Sequence, residues 1–323
     1  MFKSFIEFVA KFKRVILVQW LGIPTKSKYK FILKDWISLT DLQACQKVIE
    51  TKRFSRNLAP IQIEKPDAKT ILVIAPHQDD DIFGAGGTII KAVESGTEVH
   101  VVYVAENKNV QQADLVYNET KEVCHTVGTT PHFLKAKMGK IPLTSQHLND
   151  SLLSIIKELQ PEIIFTSFLL DDHDDHRRVN ELLLHILKQQ KLLNCDIWAY
   201  QVYSSIIPNV VVDITAQSQR KKDVMEIWKH VSGQRDWPHY ILGMNAVNSR
   251  WISSKTPKFV EAFFVVPIQE YLDLCRLYFE SSFKCYYGEY YLRNTQQKDL
   301  QKKPGKRKKI NNGSPPDDIY PLF

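Results

Sequence analysis

The chain has 323 residues, 44% of them hydrophobic and 24% charged; this balance excludes a disordered or collagen-like polypeptide and fits one large or two small globular domains. Its five cysteines are scattered without a C-x-x-C pair, which argues against a secreted disulfide framework and for reduced thiols in the cytoplasm. Of the net charge of +7, residues 298–323 contribute +4 through seven Lys or Arg and three Asp, so the rest of the chain carries only +3.

The first 23 residues are rich in Phe, Ile and Val, with four Lys or Arg among them. Apolar residues recur at helical spacing between Phe5 and Phe12, and no A-x-A-like cleavage site follows. We therefore expect a retained amphipathic helix, either docked on the body of the protein or lying on a membrane surface. Residues 1–69 are predicted to form this helix and a connector. Residues 298–323, which are charged and rich in Pro, Gly and Asn, are predicted to be a disordered basic tail.

Between these segments, apolar runs rich in β-branched residues alternate with helical patterns. The predicted strands are residues 71–75, 98–105, 162–168, 196–203, 210–214 and 260–266. The predicted helices between the first four are residues 87–95, 112–127, 146–159 and 177–190. Alternation at these lengths is typical of βαβ units. Residues 70–297 are therefore predicted to form a three-layer α/β/α, Rossmann-like domain with a mostly parallel sheet and a C-terminal extension.

Two of the predicted strands are followed by segments rich in Asp and His. Residues 76–81 read PHQDDD, and residues 170–177 read LDDHDDHR. Taken alone, each segment is also explained as a turn and helix cap, because Asp side chains satisfy the free N–H groups there. The carboxyl ends of parallel strands meet at one edge of the sheet, however. We therefore expect five side chains to converge: His77, Asp79, Asp80, His173 and His176.

This set of residue types suits a catalytic metal site. Two imidazoles and one carboxylate leave a coordination position open, which is the arrangement of catalytic zinc. A further carboxylate beside the metal can act as a general base. The glycines after Asp81 permit close approach of backbone or substrate. Asp174 and Asp175 either orient His173 or His176 or cap the following helix.

The segment APHQDDD at residues 75–81, with the later H-x-x-H of residues 173–176, resembles the LmbE/PIG-L-like zinc-dependent de-N-acetylases. The first motif of that family is approximately H-P-D-D-E, and the resemblance covers about residues 70 to 270. It implies an LmbE-like fold and hydrolysis of the amide C–N bond in an N-acetylglucosamine-type amino sugar, with release of acetate. Zinc is the implied cofactor, and iron(II) is the alternative metal.

The resemblance also implies individual roles. His77, Asp80 and His176 would bind the metal, Asp79 would be the general base, and His173 would stabilise the oxyanion and, once protonated, help the amine to leave. Three positions depart from the family pattern: Gln78 replaces Pro, Asp81 replaces Glu, and Val116 stands where many members carry Arg. We expect Asp81 to form a hydrogen bond to a metal-binding residue, at a different distance from that of the longer Glu.

Two other functions are compatible with these residues. A metal-dependent phosphoesterase or nuclease also uses Asp and His, although a two-metal site would need more bridging carboxylates. A non-catalytic binding protein would use the basic tail, but a basic run without aromatic residues is typical of a solvated tail, so no nucleic acid is expected. We predict a cytoplasmic enzyme, peripheral to the inner face of an anionic membrane, whose sugar substrate is lipid-linked or another large glycan precursor. The stretch after the last long predicted helix either overhangs the site or packs as a loop. It contains Trp237, Tyr240, Asn245 and Arg250.

Overall fold

The computed structural model describes residues 60–280 except 108–109, 140, 189–193 and 231–234. The predicted N-terminal helix and basic tail lie outside the described residues. Within the described part, no helix is both long enough and apolar enough to cross a bilayer. The three cysteines that the structure describes are buried and form no disulfide.

The centre of the fold is an eight-stranded sheet. Its strands are β1 (Ile61–Ile63), β2 (Thr70–Ala75), β3 (Glu98–Glu106), β4 (Thr130–Lys137), β5 (Ile163–Ser167), β6 (Asp196–Tyr200), β7 (Val210–Asp213) and β8 (Val260–Pro267). They lie in the order β1-β7-β8-β6-β5-β2-β3-β4. Every neighbouring pair is parallel except those of β8, which runs antiparallel to β6 and β7. The predicted mostly parallel sheet is confirmed.

Helices cover both faces of the sheet. They are α1 (Asp80–Glu94), α2 (Val110–Val127), α3 (Gln146–Leu159), α4 (Asp174–Leu187), α5 (Ser218–Met225), α6 (Trp237–Asn248) and α7 (Ile268–Phe279). Alternate residues of β2 point to opposite faces. Leu72 and Ile74 join a core with α3, α4 and α7, whereas Ile71 and Val73 join a second core with α1, α2, α5 and α6. The predicted three-layer architecture is therefore confirmed.

The sequence analysis missed the edges of the sheet and the last three helices. Residues 61–63, predicted as part of a connector, form β1 and pair with β7, so the sheet begins before the predicted boundary at residue 70. Two of the three residues in β1 are exposed, and the other edge strand, β4, is mostly half-buried. Such strands lack the continuous apolar runs of the buried strands. Helix α1 also starts seven residues earlier than predicted, at Asp80.

The order of the strands places the two Asp/His segments side by side. β2 lies between β3 and β5, because the chain first builds outward through β3 and β4 and then returns to the other side of β2. This is a topological switch point, where the loops after two neighbouring strands leave a crevice at the carboxyl edge of the sheet. The turns from β2 to α1 and from β5 to α4 both lie at this crevice.

Candidate active site

The five side chains predicted to converge do so. The turn after β2 carries His77 and Asp79, and Asp80 is the first residue of α1. After β5, His173 immediately precedes α4, and His176 lies in the first turn of that helix. His173 is half-buried and the other four are buried.

The rings of His77, His173 and His176 form a compact cluster. Each offers one nitrogen, and these atoms lie within 4.8 Å of one another. Asp80 joins them, because its Oδ2 lies 3.1 Å from Nδ1 of His77 and 3.1 Å from Nε2 of His176. Burial raises the pKa of Asp80, but the charges of His176 and His77 lower it well below its ordinary value. Asp80 is therefore an ionised carboxylate between two imidazoles.

Two further carboxylates lie on the outer nitrogens of these imidazoles. Nε2 of His77 is 3.0 Å from Oδ2 of Asp175, and Nδ1 of His176 is 3.1 Å from Oδ1 of Asp171. An ionised carboxylate can only accept, so each contact favours a proton on the outer nitrogen. In the neutral imidazole, the inner nitrogen then has the lone pair and can bind a cation held beside Asp80. Carboxylates in this position orient metal-binding histidines.

The same charges set the protonation of the two imidazoles. Burial alone would lower the pKa of His77, but Asp80 and Asp175 raise it to about 9. Burial likewise opposes the charge on His176, whereas Asp80 and Asp171 raise its pKa to about 10. The pocket therefore favours positive charge at the point where the two inner nitrogens meet.

His173 differs from the other two histidines. Its Nδ1 accepts a hydrogen bond from the backbone N–H of Asp175 at 3.1 Å, so it caps α4. Burial, followed by repulsion from His77 and His176, lowers its pKa to about 3. A neutral imidazole that accepts at Nδ1 carries its proton on Nε2. His173 is thus arranged as a hydrogen-bond donor, whereas the inner nitrogens of His77 and His176 are arranged as electron-pair donors.

Asp79 precedes α1, where an Asp side chain commonly caps the helix. Its carboxylate makes no capping hydrogen bond, so the capping explanation is wrong for this residue. Burial, followed by repulsion from Asp80, raises the pKa of Asp79 to about 8. A carboxylate with such a pKa can take up and release a proton near neutral pH.

The arrangement fits a divalent cation. Among the described residues, Oδ1 of Asp80 and both ring nitrogens of His176 are buried and have no hydrogen-bond partner of acceptable geometry, so the 3.1 Å contact of Nδ1 with Asp171 is an ion-pair contact. Nε2 of His176 nevertheless lies 3.1 Å from Oδ2 of Asp80. This contact is close but lacks hydrogen-bond geometry. Such a contact is expected between two metal ligands whose lone pairs point at the same ion. Two imidazoles and one carboxylate are also the donor set of catalytic zinc sites.

Three expectations for the surrounding carboxylates need correction. Asp175 orients His77, on the opposite loop, instead of His173 or His176. Asp174 pairs with Arg177 at 2.8 Å. Asp81 accepts a hydrogen bond from the hydroxyl of Tyr103 at 2.9 Å instead of contacting a ligand. The shorter side chain that replaces the Glu of the family motif is therefore tied to the neighbouring strand β3.

Asp171 was not assigned a role from the sequence. Its Oδ1 accepts from the backbone N–H of His173 at 3.1 Å, and its Oδ2 accepts from the N–H groups of Tyr203 and Ser204 at 3.1 and 3.4 Å. It therefore ties His176 to both neighbouring loops. The sequence signal that could have identified Asp171 is its position after β5, in the same Asp/His segment as His173 and His176.

The glycines after Asp81 serve packing. A Cβ added at Gly84 would lie 2.1 Å from the ring of Tyr200, and one at Gly87 would lie 2.6 Å from Cβ of Ile214. Both distances are far below van der Waals contact. The glycines therefore let α1, which carries Asp80, lie directly on the sheet and the segment after β7.

A buried ion pair also anchors α1. Glu261 of β8 accepts from the N–H of Gly87 at 2.8 Å and from Nζ of Lys221 at 2.7 Å. Nζ of Lys221 also donates to the carbonyl of Phe83 at 3.0 Å and to Oδ1 of Asn245 at 3.1 Å. Both charged side chains are fully buried. Sequence reasoning missed this network because its members lie on elements far apart along the chain.

The stretch that was expected to overhang the site or pack as a loop forms a helix. Its four residues lie in α6 or in the turn after it: Trp237, Tyr240, Asn245 and Arg250. Trp237 stacks on Phe83 of α1, with ring centroids 5.3 Å apart and an interplanar angle of 29°. Asn245 faces Lys221 in the core.

Comparisons with known proteins agree with this geometry. Residues 72–187 match the family described as PIG-L, GlcNAc-PI de-N-acetylase. A diacetylchitobiose deacetylase from Thermococcus kodakarensis is 26% identical over 200 residues, which cover 50% of this chain and 74% of the relative. Residues 72–187, matched by the family model, include both Asp/His segments.

Two solved structures share the fold. An N,N′-diacetylchitobiose deacetylase from Pyrococcus horikoshii superposes with a TM-score of 0.54 at 23% identity, over 71% of this chain and 93% of the other. A 4-carboxy-2-hydroxymuconate hydratase from Pseudomonas putida superposes with a TM-score of 0.52 at 18% identity, over 61% and 96%. The fold thus occurs with different activities. Residues 72–187, which match the PIG-L family model, contain both motifs, and the described fold is similar to that of LmbE-like deacetylase structures.

Proposed function

We propose that this protein is a metal-dependent N-deacetylase that hydrolyses the acetamide of an N-acetylglucosamine-type sugar conjugate, releasing acetate and a free amine. The observation that carries the proposal is the division of roles within the buried cluster. Two imidazoles are oriented by carboxylates toward Asp80, while Asp79 beside them has no capping role. A hydrolase needs such a metal site together with an adjacent base.

His77, Asp80 and His176 would hold the metal through Nδ1, the carboxylate and Nε2, respectively. Zinc suits this donor set, and iron(II) is the alternative. A divalent cation held there supplies Lewis acidity to the amide carbonyl and to the attacking water. His173 is left out of the ligand set, because its Nδ1 accepts from the backbone and its Nε2 therefore carries the proton.

The chain's own residues would carry the protons. Asp79 takes a proton from water as the water oxygen attacks the acetamide carbonyl carbon. Nε2–H of His173 donates to the oxygen that gains negative charge, an interaction that is commonly worth about 3 kcal/mol. As the C–N bond breaks, the leaving nitrogen needs a proton. Asp79 can return the proton it took, since its pKa is raised to about 8, whereas the lowered pKa of His173 opposes its predicted role as a protonated acid.

The alternative of a two-metal phosphoesterase has less support. Among the described residues, the His77, His173 and His176 group is the cluster with metal-binding spacing. The carboxylates around it, Asp171 and Asp175, lie on the outer nitrogens of the ligands instead of facing a second ion. Because the fold also occurs in a hydratase, the donor set and its base support the proposal and the fold alone does not.

The proposal is tested by metal content and acetate release together. Protein purified without chelator or affinity tag is expected to contain about one zinc or iron per chain, and His77→Ala is expected to lose it. The matched control is His185→Ala, which removes an exposed histidine of α4. The wild type and this control should release acetate from N-acetylglucosamine conjugates. Absence of metal from the wild type even after zinc is added would contradict the proposal.

The predicted peripheral contact with an anionic membrane, and with it a lipid-linked substrate, depends on residues 1–23 and 298–323, which the structure does not describe. We keep it as a prediction. Cosedimentation with anionic liposomes should deplete the full chain from the supernatant more than a variant that lacks both segments. Equal soluble fractions would contradict it.

A further inference from the structure

A buried hydrogen-bond network joins the beginning of α4 to β5 and to α7. Its centre is Asn180 of α4, whose Nδ2 donates to the carbonyl oxygens of His176 and Ser167 at 2.8 and 2.9 Å. Oδ1 of Asn180 accepts from the hydroxyl of Tyr271 at 2.7 Å. All four residues are fully buried. The loss of any one of these hydrogen bonds would therefore leave a buried polar group unsatisfied.

The network permits a single orientation of the Asn180 amide. The two carbonyl groups can only accept, so Nδ2 must face them, and Oδ1 is left to accept from Tyr271. Burial raises the pKa of Tyr271 well above its ordinary value, so its hydroxyl keeps the proton that it donates. The amide nitrogen and the amide oxygen of Asn180 thus both have buried partners, and neither can turn without breaking these contacts.

The contacts of Asn180 fix the main chain of a proposed metal ligand. His176 lies in the first turn of α4, where the N–H groups have no partners within the helix. Ser167 is the last residue of β5 and is paired with Tyr200 of β6 in the sheet. Asn180 therefore ties the first turn of α4 to the end of β5. Because Nε2 of His176 lies 3.1 Å from Oδ2 of Asp80, a shift of α4 along β5 would change the distance between these two ligands.

Tyr271 connects this network to the C-terminal part of the described chain. It lies in α7, 91 residues after Asn180 and outside the segment that matches the family model. Tyr271 belongs to the core cluster that α3, α4 and α7 share, so packing holds its hydroxyl at the Asn180 amide. The last member of the network therefore comes from a helix that contributes no side chain to the cluster of His77, His173 and His176.

We propose that Asn180 and Tyr271 are positioning residues of the metal site. Tyr271 holds the Asn180 amide in place, and the amide holds the main chain of His176 on β5, so that the imidazole of His176 meets Asp80 at the distance that a shared ion needs. Both residues act through the main chain of His176. The inference rests on the proposed function for the metal-binding role of His176. It makes α7 part of the support of the metal site.

Metal binding tests the inference independently of turnover. In the full-length protein, Tyr271→Phe removes only the hydroxyl and keeps the ring in the core. Competition with a chromophoric chelator should show zinc affinity about fivefold lower, the factor that corresponds to one net hydrogen bond. The visible absorption bands of the cobalt(II)-loaded protein, which report ligand geometry, should shift. The matched control is Thr97→Val, which removes a buried hydroxyl that donates to the carbonyl of Ala68 at 2.9 Å, just before β3 at the amino edge of the sheet.

This control should lower the urea midpoint but leave zinc affinity and the cobalt spectrum unchanged. Asn180→Leu should weaken zinc binding about tenfold or more, and adding Tyr271→Phe to it should cause no further loss, because Tyr271 acts through Asn180. Wild-type zinc affinity and cobalt spectrum in Tyr271→Phe, with only a lower urea midpoint, would overturn the inference, as would additive losses in the double variant. Zinc affinity that depends on Tyr271, in a wild-type protein that releases no acetate, would contradict the proposed function alone.

Discussion

Replacing Asp171 with Asn tests whether the outer carboxylate controls metal binding. The substitution keeps the shape of the side chain but replaces one accepting oxygen with an NH₂ donor. Oδ1 accepts from the N–H of His173 and lies 3.1 Å from Nδ1 of His176. Oδ2 accepts from the N–H groups of Tyr203 and Ser204. Either orientation of the Asn amide therefore turns a donor toward backbone N–H groups.

The size of the effect follows from these contacts. Loss of two hydrogen bonds to a buried charged acceptor, with an unsatisfied donor left behind, is expected to cost about 3–5 kcal/mol of unfolding free energy. If NH₂ faces His176, Nδ1 must become the acceptor and the proton moves to Nε2, which then cannot bind a metal. We expect zinc affinity to fall about 10–100-fold, as for other outer partners of metal-binding histidines.

Competition with a chromophoric zinc chelator measures the affinity, and urea denaturation measures the stability. Asp273→Asn is the matched control, because its carboxylate is 56% exposed and pairs with Arg276, which is 46% exposed. That control should change stability by less than about 1 kcal/mol and leave zinc affinity unaltered. Wild-type zinc affinity in Asp171→Asn would refute the orienting role that we derive from the structure.

The other predictions concern the base, the metal and the buried ion pair. Asp79→Asn should bind metal like the wild type but lower kcat about 10²–10⁴-fold, whereas His176→Ala should lose both metal and acetate release; near-normal turnover in Asp79→Asn would show that the base is another group. Dialysis against a chelator should abolish acetate release and zinc should restore it, so activity that survives complete metal removal would argue against metal-dependent hydrolysis. Lys221→Met should cost about 3–5 kcal/mol in urea denaturation, since it leaves Glu261 buried and unpaired. A cost of less than about 1 kcal/mol for Lys221→Met would contradict the ion-pair argument.

Much of the fold could be predicted from local patterns. Buried parallel strands are continuous apolar runs, so β2, β3 and β5 stand out in the sequence, and α3 has the bounds that its apolar spacing predicts. Edge strands and short helices carry weaker patterns, because only part of their surface packs on the core. This explains why β1, β4 and α5 were missed.

The convergence of five side chains could be predicted from the sequence, because the carboxyl ends of parallel strands share one edge: His77, Asp79, Asp80, His173 and His176. Which carboxylate orients which imidazole could not be predicted, because it depends on how the two loops pack. Asp175 crosses to His77, 98 residues away, because β5 lies beside β2 at the switch point. The stacking of Trp237 on Phe83 likewise depends on the packing of α6 against α1. Such contacts join elements that lie far apart along the chain. Their distance in space cannot be inferred from that separation, because it is set by how the elements pack.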